Sequence, residues 1–188
     1  MPAKASSFTN DLVEAIPNLR AFAISLQGDV DRADDLVQDT LARALQAREQ
    51  FTEGTNLMAW LFTILRNGFY SRYRKIRREV EDVDGAFAAR LAIAPSQLDS
   101  CELAECMEAL AKLPPEQREA LLLVTTQEFD YEEAAQICGC AVGTIKSRVN
   151  RARTALAELM HREREGHDEP LDFALSRTAQ RAAPRLST

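Results

Sequence analysis

Two stretches of the 188-residue chain concentrate cations in a pattern that suits contact with nucleic acid. In Val142-Gly143-Thr144-Ile145-Lys146-Ser147-Arg148-Val149-Asn150-Arg151-Ala152-Arg153, helical spacing turns Ile145, Val149, Ala152 and Leu156 to one side. Thr144, Lys146, Ser147, Asn150 and Arg151 then point outward, with Arg148 and Arg153 on the flanks. Arg can pair bidentately with guanine and Asn with adenine, while Lys and Ser hold backbone. In the second stretch aromatics alternate with cations: Arg66, Phe69, Tyr70, Arg72, Tyr73, Arg74, Lys75, Arg77 and Arg78. Rings stack on splayed bases and cations track phosphates, which favours melted strand over closed duplex. Core packing of Phe69 and Tyr73, with cations solvating a helix end, fits each aromatic equally well. Trp60 falls on an apolar stripe and is expected in the core.

The elements around these stretches read as helices. Leu36, Val37, Thr40, Leu41, Ala44 and Leu45 form one helical face, opposite Asp34, Asp35, Gln38, Asp39 and Arg43. An earlier helix is predicted from about Asn10 to Leu26, ending near Gly28 and bent or interrupted at Pro17. Phe51 to Asn56 carries Gly54 and two Thr, a loop signature. Leu57, Trp60, Leu61, Ile64, Leu65 and Gly68 begin a helix that runs into the basic tract.

Residues 79–99 read as an acidic linker with a weak helical patch at Phe87 to Ile93. Asp99 with Glu102, and Asp130 with Glu133, have capping-box spacing. Pro114-Pro115 ends one helix and starts the next, whose apolar face is Ala120, Leu121, Leu123 and Val124. Ala135, Gly139 and Ile145 are spaced as the small residue, turn and plug of a helix-turn-helix, with Ile137 and Cys138 in the same core. The last helix is predicted from Val142 to about Arg162, followed by a disordered tail. The expected fold class is all-α: two small helical domains, at 8–78 and 100–162, joined by the linker.

The net charge of −6 argues against a nucleic-acid binder until it is resolved along the chain. Residues 66–78 carry +6 and 134–164 carry +4, whereas 79–133 carry −11. Two basic islands in an acidic background can hold phosphates while the rest repels them. Hydrophobic residues at 46% suffice for a core. No run approaches the ~18 apolar residues of a membrane span. Met1 to Phe8 lacks the apolar region of a secretory signal, so a cytoplasmic protein is expected. Cys101, Cys106, Cys138 and Cys140 lack a zinc-type spacing, and neither a metal nor another cofactor is expected. No phosphate-binding glycine loop, metalloprotease motif or nucleophile elbow occurs, so an enzyme is not expected. A dimeric repressor would need a further apolar helix, and a mimic lacking promoter contacts would lack both basic faces.

Four motifs in order resemble the extracytoplasmic-function (ECF) sigma factors. They are Asp35-Leu36-Val37-Gln38-Asp39-Thr40, Trp60 to Asn67, Leu113 to Arg118, and Val142 to Arg148 with Arg151-Ala152-Arg153. Phe51 to Leu57 and Ile137-Cys138-Gly139-Cys140 resemble the EcfG type, which serves the general stress response of alphaproteobacteria. The resemblance implies a sigma-2 domain and a helix-turn-helix sigma-4 domain, in a factor that gives RNA polymerase its promoter choice. It implies docking of Asp35, Gln38, Asp39 and Arg43 on the β′ coiled coil, and a sigma-4 contact with the β flap. It implies a −10 site in which Phe51, Thr52, Gly54, Thr55 and Asn56 hold a flipped base. Arg66, Asn67, Tyr70, Arg72, Tyr73, Arg74 and Lys75 would lie along the melted strand. Thr144, Lys146, Ser147, Arg148, Asn150, Arg151 and Arg153 would read a GGAAC-like −35 element. A NepR-type anti-sigma protein, itself captured by a PhyR-type response regulator, is the implied control. With a flexible joint the domain spacing would float, so polymerase is expected to set it and the free chain to bind promoter DNA weakly and salt-dependently.

Overall fold

A computed structural model describes residues 3–81 and 101–167. Its described elements are the helices α1 (Ala3–Gln27), α2 (Val30–Gln46), α3 (Leu57–Glu81), α4 (Cys101–Lys112), α5 (Pro115–Thr125), α6 (Tyr131–Cys138) and α7 (Val142–His167), with a 3-10 turn at Arg48–Gln50. Most of the acidic linker, the patch at Phe87 to Ile93, Asp99 of the first capping box and the tail beyond His167 lie outside the described residues, while α7 runs past the expected Arg162 to His167.

The first three helices form one bundle. α1 starts before the expected Asn10 and runs through Pro17 without a break. Pro17 sits on an exposed face, where water can satisfy the carbonyl that its ring deprives of a donor. Gly28 takes a positive φ of 71° and Asp29 caps α2, its carboxylate accepting the Arg32 N–H at 2.9 Å. On α2, Leu36, Val37, Thr40 and Ala44 are buried as the periodicity predicts, but Leu45 is 52% exposed at the far edge of the stripe. Phe22 of α1 meets Phe62 of α3 edge-on at 4.9 Å. α2 and α3 pack closely at Gly68, where an added Cβ would come within 3.1 Å of Leu36 Cδ1.

The second bundle is built around α5. Pro114 precedes the helix and Pro115 opens it, as expected. Six consecutive residues, Arg118 to Leu123, are buried, so α5 is covered on every side and not along one stripe. α6 begins with the full Asp130–Glu133 capping box and ends at Gly139, left-handed at φ 62°. Ile137, Cys138, Ile145, Val149 and Ala152 close the core between α6 and α7.

The two bundles are not independent. α3 packs on α6, and α1 packs on α4 and α5. Phe62 meets Phe129 edge-on at 5.3 Å across the boundary. The expectation of a floating spacing therefore gives way to a closed arrangement in the free chain. The reason is chemical: Arg118 and Glu119 are 4% and 0% exposed, and buried charges need partners. The first bundle supplies Arg66 and Tyr70 to Glu119 and the Leu26 carbonyl to Arg118.

Candidate nucleic-acid interface

The outward face of α7 is presented on a rigid turn. The capping box fixes the start of α6, the Gly139 N–H bonds back to the Gln136 carbonyl at 3.2 Å, and Ile145 is fully buried beneath the turn. Lys146, Asn150, Arg151 and Arg153 are exposed, and Thr144 and Ser147 are half-buried. Lys146 Nζ lies 5.7 Å from the Tyr131 ring centroid, and Arg151 Nη2 reaches Ser147 Oγ at 3.4 Å. Arg148 turns inward, its Nη1 at 4.0 Å from Cys140 Sγ. The structure thus brings together the expected duplex-facing group, with Arg148 facing the turn and the others outward.

The loop between α2 and α3 forms the rim of a cavity of about 370 Å³. Phe51, Gly54 and Thr55 line it, joined by Phe8 and Asp11 of α1, by Arg48, and by Glu53 and Leu57. Thr55 folds the loop by donating its hydroxyl and its N–H to the Thr52 carbonyl, at 2.7 and 3.2 Å. The Phe51 and Trp60 ring centroids lie 5.3 Å apart, those of Phe51 and Phe8 5.9 Å, and the Arg48 guanidinium lies 5.2 Å from the Phe8 centroid. Aromatic walls with the carboxylates of Asp11 and Glu53 as acceptors and Arg48 as a donor can stack against a planar heterocycle and bond its edge. Asp11 and Arg48 escaped the sequence reading because α1 and the 3-10 turn approach the loop only in three dimensions. Asn56 caps α3, its Oδ1 accepting the Ala59 N–H at 3.1 Å.

Along α3 the expected residues divide by face. Phe69 is core, and its ring centroid lies 5.9 Å from that of Tyr73. Asn67, Arg74, Lys75 and Arg78 are exposed. Ser71, Arg72, Arg74, Lys75 and Arg78 line a shallow concavity of about 480 Å³, strongly cationic and suited to phosphate oxygens. Arg72 also pairs with Asp39 of α2 and reaches the Asp35 carbonyl at 3.4 Å. The expected docking face, Asp35, Gln38, Asp39 and Arg43, is exposed along α2 and so touches the cationic tract through Arg72.

Arg66 and Tyr70 point the other way, into the boundary between the bundles. Arg66 Nε stands 2.8 Å from Glu119 Oε1, and the Tyr70 hydroxyl donates to Glu119 Oε2 at 3.1 Å. The Arg66 N–H does not line up on the oxygen, so charge and not a directed hydrogen bond holds this contact. Burial raises the Glu119 pKa, against the lowering effects of Arg66, of hydrogen bonds from Tyr70 and Cys138, and of Arg148. Burial and the neighbouring Glu119 push the Cys138 thiol up to about 12 and raise Tyr70 well above the ordinary phenol. Nearby, Arg118 donates Nη1 to the Leu26 carbonyl at 2.7 Å, and Nη2 to the Ala111 and Leu113 carbonyls at 2.5 and 3.1 Å. It thus closes the ends of α1 and α4 together. No site role was assigned to Arg118 or Glu119 from sequence. The available signal was a charged pair set directly before Ala120-Leu121-Leu122-Leu123.

Comparison with known proteins defines the class. Residues 12–79 match Sigma-70 region 2 and residues 103–156 match Sigma-70, region 4. The "ECF RNA polymerase sigma factor EcfG" of Rhodopseudomonas palustris is 61% identical over 155 residues, covering 82% of this chain and 86% of that protein. The "ECF RNA polymerase sigma factor SigC" of Mycobacterium tuberculosis is 38% identical over 134 residues, covering 71% and 72%. Among solved structures, the sigma factor RpoE in complex with the anti-sigma factor NepR from Bartonella quintana matches with a TM-score of 0.75 at 54% identity, covering 82% of this chain and 97% of that one. The fold is thus that of a two-domain, all-α transcription-initiation factor. The chain belongs to the ECF RNA polymerase sigma factors, of the EcfG kind that serves the general stress response.

Proposed function

We propose that the division of labour follows the two faces. Residues 8–78 bind core polymerase and recognise and melt the −10 region; 79–99 link; 100–162 read the −35 element. Asp35, Gln38, Asp39 and Arg43 meet the β′ coiled coil, and the second domain meets the β flap. Thr144, Lys146, Ser147, Asn150, Arg151 and Arg153 contact the −35 duplex, with Arg148 bracing the helix from within. The pocket at Phe51–Asn56 captures a flipped −10 base, and Asn67, Tyr70, Tyr73 and the cations from Arg66 to Lys75 hold its strand. Unpairing costs a few kcal/mol, about what one or two stacking contacts return, so opening traps a fluctuation. The work is binding throughout, without catalysis, and takes place in the cytoplasm. Among the described residues no helix is long and apolar enough to cross a membrane.

The observation that carries this proposal is the coexistence of an exposed amide-and-cation face on α7 with an aromatic pocket beside a cationic concavity on α3. A NepR-type anti-sigma protein controls the factor, as the Bartonella relative solved with NepR supports, and a PhyR-type regulator captures that inhibitor. Run-off transcription tests the proposal. Core RNA polymerase on a template with a GGAAC-type promoter should give transcripts that depend on the added chain. Identical initiation with and without it would overturn the assignment.

A further inference from the structure

Gly143 stands exposed in the first turn of α7, and an added Cβ would meet no atom within 4 Å. Other glycines of the chain answer to the fold. Gly28, Gly54 and Gly139 take positive φ, and a Cβ on Gly68 would press on Leu36 Cδ1 at 3.1 Å. Gly143 has neither a positive φ nor a crowded neighbour. Glycine is the least favourable helix residue after proline, because its backbone has the most freedom to lose. Alanine would therefore hold this turn of helix more firmly, and nothing inside the fold forbids it.

The place of the gap supplies a reason. At about 100° per residue, Gly143 falls on one line with Ser147, Asn150 and Thr154, flanked by Lys146 and Arg151. The buried residues Ile145, Val149 and Ala152 lie opposite. The gap is thus in the middle of the outward face, near the end that a helix of this motif turns toward DNA. The first turn of α7 carries no acidic residue, whereas that of α6 carries Glu132 and Glu133. No carboxylate in that turn repels a phosphate. Gly143 has no side chain with which to read a base. It offers only its main-chain N–H, one of the donors that the first turn of a helix leaves unpaired.

We propose that the sugar–phosphate backbone of the −35 duplex runs in van der Waals contact with the main chain at Gly143, so that the missing side chain sets how closely α7 seats on the DNA. The contact positions and carries no sequence information of its own. It fixes the distance from which Lys146, Ser147, Asn150 and Arg151 reach the duplex. A methyl group there would hold the helix off the strand, and hydrogen bonds from the whole face would lengthen and weaken together. The inference rests on the reading of α7 as the −35 face and deepens it.

Gly143→Ala and Gly143→Leu in the full-length chain test it, because both new residues favour helix. Thermal unfolding followed by circular dichroism should give a Tm equal to native or higher by up to about 3 °C. Holoenzyme assembled from core RNA polymerase and each variant is then titrated against a labelled duplex carrying a GGAAC-type promoter, with fluorescence anisotropy as the readout. Alanine should weaken binding about 10-fold, the equivalent of one hydrogen bond lost, and leucine should weaken it further. The factor should be the same across a set of single-base −35 substitutions. Native affinity in both variants would overturn the proposal. So would a loss confined to one base pair, which would put a base edge and not the backbone at Gly143. A fall in Tm in both variants would give the glycine a role within the fold and overturn it as well. Lys146→Ala separates the two readings. If it weakens binding and the Gly143 variants do not, this proposal fails alone; if none of the three weakens binding, the assignment of α7 to the −35 element fails.

Discussion

Arg118 is the most exacting test of how this fold is held. The residue is 4% exposed, and its guanidinium closes the carbonyls of Leu26, Ala111 and Leu113 at the open C-terminal ends of α1 and α4. Arg118→Met keeps the length and removes all three donors. A hydrogen bond from a charged donor is worth about 1.5–3 kcal/mol, and a carbonyl left unpaired in the interior costs about 1–3 kcal/mol. Against this, methionine needs no desolvation of a cation, and burial here already lowers the Arg118 pKa, a sign that the charge is costly to hold. The balance is a loss of about 3 kcal/mol, because two of the three carbonyls lie inside one bundle and cannot reach water by parting the domains. At about 2–4 °C per kcal/mol for a chain of this size, Tm should fall by about 6–12 °C. Arg118→Lys keeps the charge but cannot span all three acceptors, so it should recover only part of the loss. Thermal unfolding followed by circular dichroism at neutral pH measures both. A Met variant within about 2 °C of native, with full helicity, would show that the three contacts contribute no net stability.

The raised pKa of Glu119 sets a pH dependence. The folded chain holds that proton where the unfolded chain has released it, so the stabilisation is full below the ordinary carboxylate range and lost as pH rises through the raised value. Glu119→Gln, a permanently neutral analogue, should match native stability in acid and exceed it progressively toward neutral pH in urea titrations; parallel curves would refute the shift. Gly139→Ala places a Cβ at φ 62° with nothing within 4 Å, so the cost is backbone strain alone, about 1–2 kcal/mol in urea midpoint measurements. Arg151→Ala should cost about 1–3 kcal/mol at one −35 position if the side chain reads guanine, and binding to a set of single-base −35 variants distinguishes this from the uniform loss of a phosphate contact.

The helices and the local devices at their ends were legible because each depends on near neighbours in sequence. The Asp130–Glu133 box, Gly139 in its left-handed turn, Pro115 at the start of α5 and the inward set Ile145, Val149 and Ala152 all follow from spacing and side-chain shape. The outward chemistry of α7 follows from the same periodicity by exclusion. Periodicity stops at contacts between distant segments. The sequence placed Arg66 and Tyr70 in one basic, aromatic stretch and Asn56 in a separate loop, but could not show that each ends on a carboxyl group 49 to 77 residues away. It could not give Asp11 and Arg48 to the pocket either, since nothing local in α1 or in the 3-10 turn points there. The chain order thus determined two helical modules and the chemistry of their faces. Tertiary packing alone decided which of those faces meets solvent and which meets the other module, because Glu119 finds Arg66 and Tyr70, and Arg118 the Leu26 carbonyl, only across the boundary between the modules.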